Sequence, residues 1–266
     1  MVVSEGIVLI GAGNVATHLG AALRRAGYDV KQVYSRTEAS ARTLAERLDT
    51  AWTTCLDEVR ADAGLYIVSI KDSAFGEVLP QLTRRNASAL YVHTAGSMPL
   101  SVWEGLADRY GVLYPLQTFS RRREVDFSEV PFFVEANSAE DTGLLCRLAR
   151  ELSKRVFMAS TEQRGYLHIA AVFACNFTNH LYALCQELLA KHDLPFEVML
   201  PLIDETARKV HELSPAEAQT GPAVRYDENV ISRHLQLLAD RPDLAKLYEL
   251  LSKDIFRSTL SPPSPR

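Results

Sequence analysis

The sequence predicts an α/β chain, a doubly wound parallel sheet followed by a second, all-α C-terminal domain. Three observations carry this. Short β-branched runs alternate with helical periods from residue 6 to about residue 118, the pattern of parallel strands joined by crossover helices. A glycine-rich turn, Gly11-Ala-Gly13-Asn14-Val15-Ala16, stands between the first strand and the first helix. After residue 159 strand signals stop and long helical periods take over. A chain of 266 residues is near the limit of a single core, so two domains are expected.

The first strand is residues 7–10. Its helix carries Val15, Leu19, Ala22, Leu23 and Ala26 on one face and stops at Gly27, which suits the position after a helix end. Residues 29–34 form strand two and 38–48 an amphipathic helix. A buried strand at 65–70, a helix at 73–82 and a strand at 89–93 follow, with further strands at 112–116 and 131–135. A helix at 139–152 and a strand at 155–158 complete a first domain of residues 1–159. Ser160 and Gln163 fit a capping box that starts a long helix running to about residue 191. Helices at 195–213, 224–239 and 242–260 fill a second domain, 160–260, expected to serve substrate binding and dimerisation. The Pro-rich tail 261–266 is expected to be disordered.

The glycine turn has the strand–turn–helix context of a Rossmann nucleotide site. Gly11 permits the tight turn, Gly13 lets the backbone approach a pyrophosphate, and Ala16 allows close helix–strand packing. The phosphates would rest on the helix N-terminus at Asn14 and Val15. Where an NAD site places a ribose-binding carboxylate, strand two ends Tyr34-Ser35-Arg36-Thr37. Arg36 offers a planar fork for a 2′-phosphate with hydroxyls on both sides, so NADP(H) is expected over NAD(H). A solvated loop arginine is the alternative. Ser69 and Lys71, and Thr94, Ala95 and Gly96, follow later strands on the same carboxyl edge and are expected to line the nicotinamide half.

A nicotinamide supplies hydride, so the protein must orient a substrate and move a proton. In the helix from Ser160, His168, Cys175 and Asn179 align within about twenty degrees, with Asn176 about eighty degrees round. His168 is the candidate proton donor and Asn176 the candidate substrate ligand; hydrogen-bonded core residues are the alternative reading. His93, at a strand end, is a second candidate for proton transfer or a structural residue. Arg225, Asp227 and His234 stand near a Gly-Pro loop, where an intrahelical ion pair is the commoner role. The seven histidines lack paired ligand spacing, so no metal is expected.

The segments Gly11–Val15, Ser35-Arg36, His93–Ser97, Tyr114–Phe119, His168–Asn176 and Thr220–Pro222, with Arg225, Asp227 and His234, carry a resemblance that spans nearly the whole chain. The sequence resembles the Rossmann-like NADP oxidoreductases with an uncharacterised helical C-terminal domain, related to pyrroline-5-carboxylate reductase and to deazaflavin-dependent NADP oxidoreductases. In that pattern a histidine precedes Pro115; Tyr114 stands there in this chain, which weakens the expectation of a catalytic role at that position. The resemblance implies fold and cofactor more than reaction.

The resulting expectation is an NADP-dependent oxidoreductase acting on a small carbonyl, imine or hydroxyl compound in a cleft between the domains. A non-catalytic NADP(H)-binding sensor is the alternative, with hydride transfer to a deazaflavin a third. The net charge of −4 offers no field for nucleic acid, and no apolar run is long enough for a membrane span. The apolar stripes of the appended helices point to a homodimer. Four cysteines without Cys-x-x-Cys spacing read as reduced, buried thiols of a cytoplasmic protein.

Overall fold

In the computed structural model, which describes residues 5–120 and 123–260, eight strands among those residues form one sheet. In chain order they are β1 (Ile7–Ile10), β2 (Val30–Tyr34), β3 (Ala51–Thr53), β4 (Leu65–Val68), β5 (Leu90–His93), β6 (Arg109–Pro115), β7 (Phe132–Ala136) and β8 (Val156–Met158). Their spatial order is β3-β2-β1-β4-β5-β6-β7-β8, so the winding reverses between β1 and β4. In open sheets of this kind that reversal opens a crevice at the carboxyl ends of the strands.

All neighbouring pairs are parallel except β6 with β7. The sequence reading placed strands there without a direction, and the connection explains it. Among the described residues between them there is a 3₁₀ turn, Phe127–Glu129, in place of the crossover helix that usually joins parallel neighbours. The three-residue β3, with Ala51 and Trp52 exposed, is too short to leave an alternation in the sequence, and it was missed.

Four helices cover the two faces of the sheet. Helices α1 (Asn14–Arg25), α2 (Glu38–Leu48) and α4 (Ala139–Leu152) pack Leu19, Leu23, Leu44, Leu145 and Leu148 against Ile7, Leu9, Val92, Leu113 and Phe132. On the other face α3 (Phe75–Leu82) sets Phe75, Val78 and Leu82 against Val8, Tyr66 and Tyr91, with Trp103 filling the gap. The first turn of the expected helix at 73–82 is a 3₁₀ turn, Asp72–Ala74. Of the four cysteines, only Cys146 is buried. Cys175 and Cys185 are half-buried and Cys55 is exposed, a correction that follows from its place beyond the end of β3; all four are free.

The chain divides into two compact units, Met1–His180 and Leu181–Arg266. The change from strands to helices and this division are distinct events. Helix α5 (Thr161–Ala171) begins with the expected capping box at Ser160 and belongs to the first unit, where its Arg164 is held by Glu135 of β7. A π-helical segment, Val172–Phe177, leads from α5 into α6 (Thr178–Ala190).

In the second unit, 3₁₀ turns precede both α7 (Leu200–Glu212) and α9 (Glu228–Leu237), with the short α8 (Pro215–Ala218) between them. The expected helix at 224–239 starts later because Tyr226 adopts a left-handed φ of 48°, after which Asp227 caps α9 by accepting from Val230 N. The last helix, α10, covers Pro242–Leu260 as expected. Few apolar side chains are buried there: Ala223, Ile231 and Leu238, while Leu202, Leu237, Leu250 and Leu260 are each more than 60% exposed. The tail 261–266 lies outside the described residues. Among the described residues no helix is long and apolar enough to cross a membrane.

Candidate functional site

Two cavities open at the carboxyl edge of the sheet, both lined by the first unit alone. The smaller, about 220 Å³, is built on the glycine turn. Gly11 adopts φ +112°, and a Cβ there would lie 2.3 Å from the Ser69 carbonyl oxygen, so no other residue fits. Its N–H donates to Tyr34 O at 2.7 Å while Ser69 N donates to Ile10 O at 2.7 Å, which fixes the three strand ends around the turn. Gly13 is exposed and is the N-cap of α1; a Cβ there would meet only Ser69 O, at 4.0 Å, leaving the approach to the helix open. The first turn of α1 carries no acidic residue, and Ala16 beneath it is 1% exposed. Free N–H groups at such an end suit an anion.

Opposite the turn stand Ser35, Arg36, Thr37 and Ser40, and the remaining walls are Ile70, Lys71, Ala74 and Val78. Burial raises the Tyr34 phenol pKa, and the charge of Arg36 opposes that shift. Apolar walls beside two cations and a glycine-lined helix end fit the adenine, 2′-phosphate and pyrophosphate of a dinucleotide. Ser69 and Lys71 were assigned to the nicotinamide half. They line this cavity together with Gly11, Gly13 and Arg36, because β4 lies next to β1 and its end is beside the glycine turn.

The larger cavity, about 660 Å³, lies beyond β5 and β6. Thr94 is buried and links back to the first cavity through a 2.9 Å hydrogen bond between its hydroxyl and that of Ser69. Ala95 N donates to His93 Nδ1 at 3.2 Å. At Gly96 a Cβ would fall 2.7 Å from Tyr114 Cζ, 2.8 Å from its Oη and 2.9 Å from His168 Nδ1. Tyr114 Oη and His168 Nδ1 are themselves 3.3 Å apart, one donating to the other according to the imidazole tautomer. Burial raises the Tyr114 pKa, with the Arg164 charge opposing, so the phenol is a neutral donor at physiological pH.

His168, Cys175 and Asn176 all line this cavity. On an unbroken α-helix Asn176 would face about eighty degrees away from His168. The π-helical segment absorbs an extra residue in the turn and brings the next residue back by about a hundred degrees. Thr178 marks it by donating its hydroxyl to Phe173 O at 3.1 Å, five residues back. Asn179, aligned with His168 on an unbroken α-helix, is exposed and does not line the cavity.

Leu116 and Phe119 close another wall. Asn14 Nδ2 donates to Phe119 O at 2.9 Å, and His18 Nε2 donates to Ser120 O at 2.9 Å while its ring stacks on Phe119. Asn14 thus ties the glycine turn to this wall, and Val15 is half-buried behind it.

His93 lines neither cavity, which corrects its reading as a proton donor. It is 0% exposed, edge-on to Phe75 and stacked near Trp103, because inward-facing positions of β5 lie under α3. Burial, helped by the Arg164 charge and opposed by a backbone bond at Pro99, lowers its pKa to about 3. In the second unit, Asp227 is a helix cap and His234 Nδ1 shares a 2.8 Å hydrogen bond with Tyr248 Oη, so neither is in an intrahelical ion pair; Arg225 is exposed. Among the described residues no group of three His, Cys, Asp or Glu could hold a metal ion.

Two residues that matter here were not selected from sequence. Tyr114 was set aside for its departure from the histidine of the resembling pattern, although its place at the end of a strand was visible. Arg164 is 1% exposed; it donates to Glu135 and, at 2.6 Å, to Met98 O, and Glu135 also accepts from Thr161 N and Oγ1 at 2.9 Å each. This cluster pins α5, and with it His168, to β7. A single arginine in a helical period carries no sequence signal for such a partner.

Residues 3–118 match the family described as a Rossmann-like domain, and residues 130–255 match a domain of unknown function, DUF2520. No curated protein sequence matches the chain. Among solved structures, a Bacteroides fragilis "putative NADP oxidoreductase" is 61% identical, with TM-score 0.92, over 95% of this chain and 98% of that one. A Thermotoga maritima protein shares the fold at 20% identity and TM-score 0.79, over 96% and 100% of the two chains. An imine reductase from Myxococcus stipitatus, in complex with NADP+, shares it at 16% identity and TM-score 0.68, over 96% and 94%. The chain therefore belongs to the family of the Bacteroides fragilis protein, in which a Rossmann-like domain is joined to a DUF2520 domain.

Proposed function

We propose that the protein is an NADP(H)-dependent oxidoreductase that reduces a carbonyl or imine bond in the larger cavity. The observation that carries this is the Tyr114–His168 hydrogen bond directly beside Gly96, with Asn176 on the same wall. The cofactor reading is supported by the first cavity, where Gly11, Gly13, Arg36 and Lys71 match the parts of the molecule, and by the name of the 61% identical relative.

When bound, the nicotinamide supplies hydride to the substrate carbon. The chain's own part is the proton and the geometry. Tyr114, neutral through burial, donates its hydroxyl proton to the substrate oxygen or nitrogen. His168 Nδ1, 3.3 Å away, returns a proton to the phenolate, so the pair passes one proton per turnover from solvent to substrate. Asn176 offers an amide to hold the reacting heteroatom or the cofactor carboxamide. Leu116 and Phe119 give the cavity an apolar wall against which the rest of the substrate can pack. His168 thereby keeps the proton-transfer role assigned from sequence, in partnership with Tyr114.

NADPH oxidation across a panel of aldehydes, ketones and cyclic imines tests this reading and separates it from a non-catalytic sensor. Tyr114→Phe is expected to lower kcat by roughly a hundredfold, the usual worth of a general acid, with NADPH affinity nearly unchanged. Turnover undiminished in both Tyr114→Phe and His168→Ala would remove the pair from the mechanism.

A further inference from the structure

Helix α1 reaches toward both cavities, and the contacts involved lie within the first unit. Its N-cap, Gly13, lines the nucleotide cavity. Asn14 and His18 stand four residues apart and share one face of the helix. Both bond to the segment that follows β6: Asn14 Nδ2 donates to Phe119 O and His18 Nε2 to Ser120 O, each at 2.9 Å. A carbonyl oxygen only accepts, so Nε2 carries a proton. The His18 ring also stacks on Phe119 at 5.5 Å and 28°, and Phe127 stacks on Phe119 at 5.8 Å and 26°. Near-parallel rings from α1 and from the 3₁₀ turn before β7 thus hold Phe119, which lines the larger cavity.

His18 itself is 3% exposed and lines neither cavity. An aliphatic side chain would fill such a position without a polar group to desolvate, whereas a buried imidazole costs free energy unless it is bonded. The wall segment uses what the imidazole supplies. Leu116 N still bonds to Pro131 O, but Thr118 N turns back to Oε1 of Gln117, the residue before it. Past Leu116 the segment leaves the sheet, and α1 contributes two hydrogen bonds and a ring stack to it. We propose that His18 is a positioning residue of the larger cavity: it fixes Phe119 and Ser120 against α1, and so ties the place of the substrate wall to the helix end that takes the cofactor phosphates. Its effect on turnover rests on the oxidoreductase reading; the tie between helix and wall does not. A phosphate bonded to the N–H groups of the first turn restrains that turn, Asn14 included, and a restrained α1 holds the wall more firmly.

Amide hydrogen exchange over residues 116–120, read by mass spectrometry with and without NADP+, tests the tie without a substrate. NADP+ should slow exchange there in the wild-type protein by roughly tenfold, the worth of one hydrogen bond. His18→Leu should lose that slowing while binding NADP+ in calorimetry within about twofold of wild type. His18→Gln, whose amide nitrogen has the reach of Nε2, should restore most of it. His18→Phe, which keeps the ring and drops the donor, should restore less, and takes the place of His18→Leu if that variant does not fold. With benzaldehyde and methylpyrroline as probes of NADPH oxidation, His18→Leu should raise KM about tenfold and leave kcat within about twofold.

Protection lost in His18→Leu and recovered in His18→Gln, with no turnover of either probe, would sustain the assignment and count against the oxidoreductase reading alone. Exchange that NADP+ leaves unchanged in the wild-type protein, or that responds equally in His18→Leu, overturns the assignment. A loss of NADP+ affinity in a folded His18→Leu also overturns it, because the residue would then act through the cofactor site. With an active probe, an unchanged KM in that variant does the same, whatever happens to kcat.

Discussion

The burial of His93 predicts a pH-dependent loss of stability whose size follows from its lowered pKa. In the folded chain the imidazole titrates at about 3, against an ordinary value of 6.5. Between those two values the unfolded chain binds a proton that the folded chain does not, so stability rises with pH across that window. The contribution is fully present above 6.5 and declines as pH falls toward 3. At 1.36 kcal/mol per pH unit, moving from pH 7 to pH 5 costs the folded state about 2 kcal/mol through this one group.

His93→Leu removes the titration. Urea unfolding of wild type and variant at pH 7, 6 and 5 would isolate the term as a difference of differences, because every other titrating group is common to both proteins. Trp103, with its ring centroid 6.3 Å from that of His93, provides a local fluorescence signal. The variant is expected to lose less stability on acidification, by about 2 kcal/mol at pH 5. Parallel pH profiles for the two proteins, or abolition of NADPH oxidation in a stable His93→Leu, would refute the burial argument and return His93 to the list of catalytic candidates.

Arg36→Ala should weaken NADPH binding by roughly ten- to a hundredfold, the worth of a charge-assisted hydrogen bond, and change NADH binding far less; equal losses in calorimetric titration would refute a 2′-phosphate role. Gly11→Ala places a methyl group 2.3 Å from a backbone carbonyl at a positive φ and should cost about 3 kcal/mol or more in thermal or urea unfolding. A variant with an unchanged midpoint would show that the turn relaxes freely. The second unit leaves Leu202, Leu237, Leu250 and Leu260 exposed, so the protein should be a homodimer that covers part of this surface. A monomer at micromolar concentration in sedimentation equilibrium would oppose that.

The sheet was legible because its signals are local. Ile7–Ile10, Leu65–Val68 and Leu90–His93 are compact apolar runs, and the turn at Gly11 is demanded by a backbone conformation that few residues tolerate. The nucleotide site followed from that turn together with Arg36, twenty-odd residues on, as the βαβ geometry requires. What escaped depends on contacts between distant segments. Lys71 and Arg36 share a cavity because strand order, not sequence order, decides which loops are neighbours. Tyr114 and His168 are far apart in sequence and meet where α5, tied by Arg164 and Thr161 to Glu135, packs near the end of β6. His93 looked like a proton donor at a strand end, and only the packing of α3 and Trp103 shows it to be enclosed.

The π-helical turn makes the larger cavity depend on chain length as well as on residue identity. Between His168 and Thr178 the chain has one residue more than an α-helical path through the same points would use. A one-residue deletion in Val172–Phe177 would let the helix regain its regular pitch and turn a different side chain toward the place of Asn176, while the wall residues ahead of the segment, His168 among them, stayed where they are. Relatives that keep the histidine but differ by one residue in this interval are thus expected to present a different side chain to the substrate, a form of divergence that substitution alone does not reach.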